Sequence, residues 1–175
     1  MTWNAFHHRG EILQAVIDTA NVRQDGILPT DVPGVTETFA DDLEVVAALH
    51  LKWHARLSGN IERALMAQPM DLEDAVAAAW ARTSAEVPGV RLIIDRCTES
   101  PSDPEMAAAL TRARTKEWLK LAGAAGLASD ESESAARAGE LVEKKARTAG
   151  AGSSLNVDDV ETPSLVARIK AVLAA

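Results

Sequence analysis

The chain has no tyrosine, only two phenylalanines and a single cysteine. Each scarcity excludes something. Without a second cysteine there is no internal disulfide and no multi-cysteine metal knot, and a lone Cys97 fits a reducing compartment. With few aromatics and few runs of β-branched residues, strands have little to build on and helices are favoured. No apolar run approaches the roughly 20 residues that cross a bilayer. The N-terminus, Met1-Thr2-Trp3-Asn4, has no basic segment followed by an apolar stretch, so no signal peptide is expected. Long basic runs are missing too. Residues 143–147, Glu-Lys-Lys-Ala-Arg, carry their own acid. A net charge of −8 without a basic run argues against nucleic acid and anionic membrane as partners. The expectation is a soluble, cytoplasmic protein.

What is present is an apolar content of 47%, mostly alanine and aliphatic residues, which is ordinary for a folded protein. The 175 residues suffice for one domain with a sizeable core and a tail. The spine lies in residues 38–68. Phe39, Leu43, Val46, His50, Trp53 and Leu57 recur at intervals of four and three, which puts them on one helical stripe. Ile61 and Leu65 continue it, giving a helix about 45 Å long. Gly59 lies inside that span, and a bend is expected there.

Around the spine the pattern is helical throughout. Thr2 caps a first helix whose stripe includes Trp3, Phe6, Gly10, Leu13 and Ile17, and Gly26 ends it. A glycine on an apolar face implies close approach of another helix, since Gly10 costs about 1 kcal/mol of helix stability. Asp71 caps a third helix carrying Leu72, Val76, Trp80 and Thr83. After Pro88-Gly89, the segment 90–98 has no partner strand and is read as a short helix. Asp103-Pro104-Glu105 opens another, with Met106, Leu110, Glu117 and Leu121 on one side. Ser129 caps a helix from about 130 to 148, whose thin apolar face comprises Ala135, Ala138, Leu141, Val142 and Ala146. Trp3, Trp53, Trp80 and Trp118 fall in different helices, as suits helices meeting around a common core. The sequence Val-Pro-Gly-Val occurs at 32–35 and at 87–90, each after an acid, and is read as a reused turn.

The expected fold is therefore all-α, an antiparallel bundle of four to six helices over residues 1–149. Residues 150–162 read as a flexible linker and 163–175 as an amphipathic helix, with Leu165, Val166, Ile169, Val172 and Leu173 on one side.

Few residues offer chemistry. His50 and His54 stand at i and i+4, the spacing by which one helix offers two nitrogens to one metal ion. The intervening residues, Leu51, Lys52 and Trp53, include no glutamate, so a zincin-type peptidase is a poor reading. His7 on the first helix is the third candidate, and three neutral imidazoles would hold a divalent metal such as Zn. The competing reading makes His50 a core histidine with a backbone or carboxylate partner and the others surface residues. Glu117, on the apolar side of its helix, is an odd placement that suggests ligation, pairing with a histidine or pairing with Arg114. Cys97 has no nearby histidine in sequence and reads as structural. No Gly-rich phosphate loop is present: the glycines near Gly123 lack a preceding strand and a following Lys-Ser or Lys-Thr. A bundle carrying His50, His54 and His7 resembles the DinB-like metal-binding proteins in architecture, although those families place the paired histidines late in the chain and here they come early.

Two functions remain. One is a non-catalytic module that binds a partner protein or associates with itself. The other is a metal-binding protein or metal-dependent enzyme built on His50, His54 and His7.

Overall fold

A computed structural model describes residues 3–154, with side chains from residue 7 to residue 149. The expected helix at 163–175 and most of the expected linker lie outside the described residues. Among the described residues there are seven helices and no strand. They are α1 (Trp3–Arg23), α2 (Val35–Thr38), α3 (Asp42–Met66), α4 (Leu72–Glu86), α5 (Pro88–Glu99), α6 (Pro104–Ala124) and α7 (Glu133–Ser154). Six are long, and α2 is a single turn.

Capping chemistry sets most boundaries. Asp41, Asp71 and Asp103 each accept a hydrogen bond from the backbone N–H three residues on, satisfying one orphan donor of the first turn. Pro88 and Pro104 sit at the start of their helices, where a missing N–H costs nothing. At the end of α6, Leu127 N–H bonds to Ala122 C=O and Gly126 N–H to Gly123 C=O, with Gly126 at φ 70°. That is a Schellman ending, and it needs a residue that tolerates the left-handed region.

Several boundaries differ from the sequence reading. The spine begins at Asp42, because the Asp41 cap starts the helix three residues after the stripe does. Phe39 stays buried in the preceding loop, beneath the Arg9 guanidinium at 4.3 Å. α3 runs through Gly59 without interruption. α7 begins at Glu133, where Ser132 Oγ accepts from Ala135 N–H in place of the expected Ser129 cap. It also continues through residues 150–154, where the sequence reading starts a linker. Leu141 lies 66% exposed, and the buried face of α7 is made by Ala135, Val142 and Ala146. The two Val-Pro-Gly-Val segments take different conformations. Gly34 is left-handed at φ 88° just before α2, whereas Gly89 lies in the first turn of α5.

Close helix contact is real, but not at the glycine expected to provide it. A Cβ on Gly10 would meet nothing within 4 Å. A Cβ on Gly89 would meet Ala20 O at 2.0 Å, and one on Gly139 would meet Trp118 O at 1.8 Å. These two glycines let α5 lie against α1 and α7 against α6. α6 and α7 run antiparallel, as the short loop between them requires. α3 and α6 instead run the same way. Val46 packs with Met106 and Leu110, His54 lies by Glu117 and Ser58 by Lys120, so partners rise together along both helices. One principal core joins Val16 of α1, Leu49, Trp53 and Leu57 of α3, Val76 and Trp80 of α4, Ile93 and Ile94 of α5, Leu121 of α6 and Val142 of α7. No helix among the described residues is long and apolar enough to cross a membrane.

Candidate functional site

The heptad-like stripe of α3 carries His50 and Trp53 into the interior, with His50 7% exposed and Trp53 fully buried. His54 follows one turn after His50, and the two imidazoles stack with centroids 5.5 Å apart and planes 25° apart. From α6, the stripe Leu110, Glu117, Leu121 brings a carboxylate into the same interior, where Glu117 is 2% exposed.

A carboxylate so deeply buried survives only if hydrogen-bonded and charge-compensated. Trp53 Nε1 donates to its Oε2 at 2.9 Å, and Trp80 Nε1 donates to its Oε1 at 2.8 Å. The Arg91 guanidinium donates to Oε1 at 3.3 Å. Arg91, itself buried, also pairs with Asp95 one turn along α5. Asp95 receives Arg147 of α7 at 2.8 Å, and Arg147 reaches back to Glu143, which accepts the Trp118 indole N–H at 2.6 Å. The result is a chain of alternating charge, Glu117–Arg91–Asp95–Arg147–Glu143, that ties three helices, α5, α6 and α7, together. Cation–π contacts reinforce it. Arg91 lies over Trp53 and Trp80 at 4.9 and 5.4 Å, and Arg147 lies over Trp80 at 4.8 Å. The chain holds three carboxylates and two guanidiniums, so it retains one negative charge beside the histidines.

The electrostatics follow from this arrangement. Burial, then the charges of His54 and Arg91, push the His50 imidazole down to about 4, with Asp95 opposing. His54 is also lowered, first by burial and then by Lys120 and Arg91, against the pull of Glu117. Both imidazoles are therefore neutral near pH 7, the form that ligates metals. Burial opposes ionisation of Asp95, but hydrogen bonds from Arg147 and Arg91 outweigh it and hold the carboxyl below the usual range.

His50, His54 and Glu117 each offer a donor atom, and these atoms lie within 4.8 Å of one another. His54 Nε2 stands 3.9 Å from Glu117 Oε2. Donors around a tetrahedral zinc, each about 2.0–2.1 Å from the ion, stand about 3.4 Å apart, so the three groups would draw together by up to about 1.4 Å on binding an ion. His50 Nδ1 is buried without a hydrogen-bond partner in the described structure. An orphaned ring nitrogen in the interior is costly unless something coordinates it. His54 is the member that reaches solvent, with 25% of its side chain exposed at the floor of an open pocket of about 460 Å³ between α3 and α6.

The structure thus brings together two of the three residues expected from the sequence. His7 lies exposed on α1 and is not among the groups whose donors converge. The buried ligand-type group beside the two histidines is Glu117. Its charge partner is Arg91 rather than Arg114, which stacks over Trp118 at 4.7 Å. The charged groups of neighbouring helices that act on or converge with His50 belong to α5 and α6. The Arg91–Asp95–Arg147 link escaped sequence reasoning. Its one signal was a charged pair at i and i+4, Arg91 and Asp95, around the apolar residues Leu92, Ile93 and Ile94. Cys97 is half-buried, and burial, then Asp42, push its thiol up, with Arg96 opposing, as suits an unreactive side chain. No family model matches the chain, and no curated protein and no solved structure matches it significantly.

Proposed function

We propose that this protein binds one divalent transition-metal ion, zinc foremost, through His50, His54 and Glu117. The observation that supports the reading best is the convergence of donor atoms from two neutral imidazoles and a carboxylate in the interior, at a histidine, His50, whose Nδ1 is buried without a hydrogen-bond partner. A His₂Glu donor set suits zinc, and with a water or substrate it makes the open, catalytic type of site. The open side is the pocket floored by His54. Glu117 is held by the Trp53 and Trp80 indoles and by Arg91, so its free lone pair on Oε2 is aimed before any ion arrives. The residual negative charge of the Glu117–Glu143 network favours a cation at that spot. A metal held this way supplies Lewis-acid polarisation or an acidified water. The protein's residues hold the donors in register and exclude solvent from all but one side. The test is calorimetric titration of chelator-treated protein with Zn²⁺, against His50→Ala and His54→Ala.

A second reading, association with a protein partner or a second copy, draws on one observation. Met66, Met70, Leu72 and Leu127 are all exposed, Met70 completely and Met66 by 81%. Exposed methionines suit adaptable contacts. Sedimentation of the wild type and of Met66→Ser/Met70→Ser tests it, and equal monomeric masses at high concentration would remove self-association. The lone cysteine suits a reducing, cytoplasmic setting for either function.

A further inference from the structure

We propose that the pocket between α3 and α6 binds a small organic anion, its carboxylate or phosphate held by Arg112, Lys116 and Lys120 and its apolar part resting on Leu51 and Ala113. The inference goes beyond the metal reading and does not require it. Arg112, Lys116 and Lys120 stand at i, i+4 and i+8 on α6, which aligns them along one face of the helix. All three line the same open concavity of about 460 Å³, with His54 at its floor.

The chain is acidic overall, with a net charge of −8, and half of its described cations, Arg91 and Arg147 among them, meet carboxylates within ion-pair distance. Among the described residues Arg112, Lys116 and Lys120 make no ion pair, as is also true of Lys52, Arg63, Arg96, Arg114 and Lys144, but these three stand together on one pocket. Lys120 donates only to Ser58 Oγ. The one acid within that stretch of α6, Glu117, points inward and is held by Arg91, so it cannot neutralise them. Three uncompensated cations around a concave site concentrate field on whatever anion enters. The walls set the rest of the chemistry. Leu51 is 71% exposed, and Ala109 and Ala113 beside it are small, which leaves room for a short apolar body. The volume is that of a small-molecule site. Arginine grips carboxylate and phosphate oxygens with a fork of donors, and the lysines add point charges.

The experiment uses the full chain after chelator treatment, titrated separately with inorganic phosphate and with succinate at constant ionic strength. Calorimetry measures binding. The expected result is saturable one-site binding of at least one probe. Arg112→Gln/Lys116→Gln should weaken binding at least tenfold without changing Tm, since both side chains are exposed. Lys144→Gln, on the exposed side of α7, should leave binding unchanged. Tighter phosphate binding assigns a phosphorylated ligand, and tighter succinate binding a carboxylate. No saturable binding of either, or equal binding by the double variant, would overturn the proposal. Because metal is removed first, a failure here and a failure of zinc binding are separate results.

Discussion

Trp53 donates its indole N–H to Oε2 of Glu117 at 2.9 Å, joining residues 64 positions apart. Trp80 holds the other oxygen at 2.8 Å, and the two indoles meet edge to face with centroids 5.5 Å apart. The interior of the bundle is thus organised around a charged group. Two large aromatics that would serve as apolar anchors also act as donors to a carboxylate, and Arg91 provides the compensating charge.

Glu117→Gln tests that arrangement. The shape is kept, but Arg91 loses its buried counter-charge and one indole N–H faces an amide NH₂. Removing one partner of a buried ion pair costs about 3–5 kcal/mol. Urea unfolding at pH 7 should show a loss of that order with an unchanged m-value. A loss under about 1 kcal/mol would mean that the network contributes little to the folded state.

The buried histidine predicts a specific pH dependence. His50 has its midpoint lowered to about 4 in the folded protein, against an ordinary value near 6.5. Between those values the unfolded chain binds more protons than the folded one. Stability is therefore complete above about pH 6.5 and falls as pH drops toward 4, by up to about 3 kcal/mol from this residue. Asp95, with its lowered pKa, adds a loss only at still lower pH. His50→Leu should flatten the profile between pH 6.5 and 4.5 in chelator-treated protein. Chemical unfolding at a series of pH values checks it, and an unchanged slope would contradict the burial of a neutral imidazole.

Much of this was legible in the sequence, and the limits have physical reasons. Helix identity followed from three-and-four spacing, and the Asp71 and Asp103 starts from capping chemistry, because both signals are local. His50 and His54 were visible because a single helix fixes their relation. Glu117 stood out as an acid on an apolar face, but its partners were hidden. Trp53, Trp80 and Arg91 reach it from three other helices, and nothing local encodes which helices will meet. The third candidate, His7, was sought on α1 for the same reason: nothing local says which helix will lie beside His50 and His54. In the fold, α6 is the helix that runs beside α3 at His54. Leu141 was misplaced because a helix with few apolar residues has an ill-defined face, and Gly139, not Leu141, marks the side that α6 covers.

Gly139, in close contact, and Gly10, in open space, make opposite predictions. Gly139→Ala drives a Cβ into the Trp118 carbonyl at 1.8 Å, so α6 and α7 must move apart. The cost should reach or exceed the roughly 1–3 kcal/mol typical of overpacking, read as a fall in Tm. Gly10→Ala meets nothing within 4 Å and should stabilise α1 by about 0.5–1 kcal/mol. If both substitutions shifted Tm by similar amounts in the same direction, the close crossing at Gly139 would be wrong.

Direct titration decides whether His50, His54 and Glu117 hold a metal ion. Chelator-treated full-length protein, titrated with Zn²⁺ at pH 7.5 in a calorimeter, should bind one ion per chain. His50→Ala and His54→Ala should each weaken binding by at least the roughly 10–100-fold that even outer-shell changes produce. His7→Ala should leave affinity unchanged, since His7 lies apart from the converging donors. Absence of stoichiometric binding, or equal binding by wild type and the His50→Ala/His54→Ala double variant, would contradict the account.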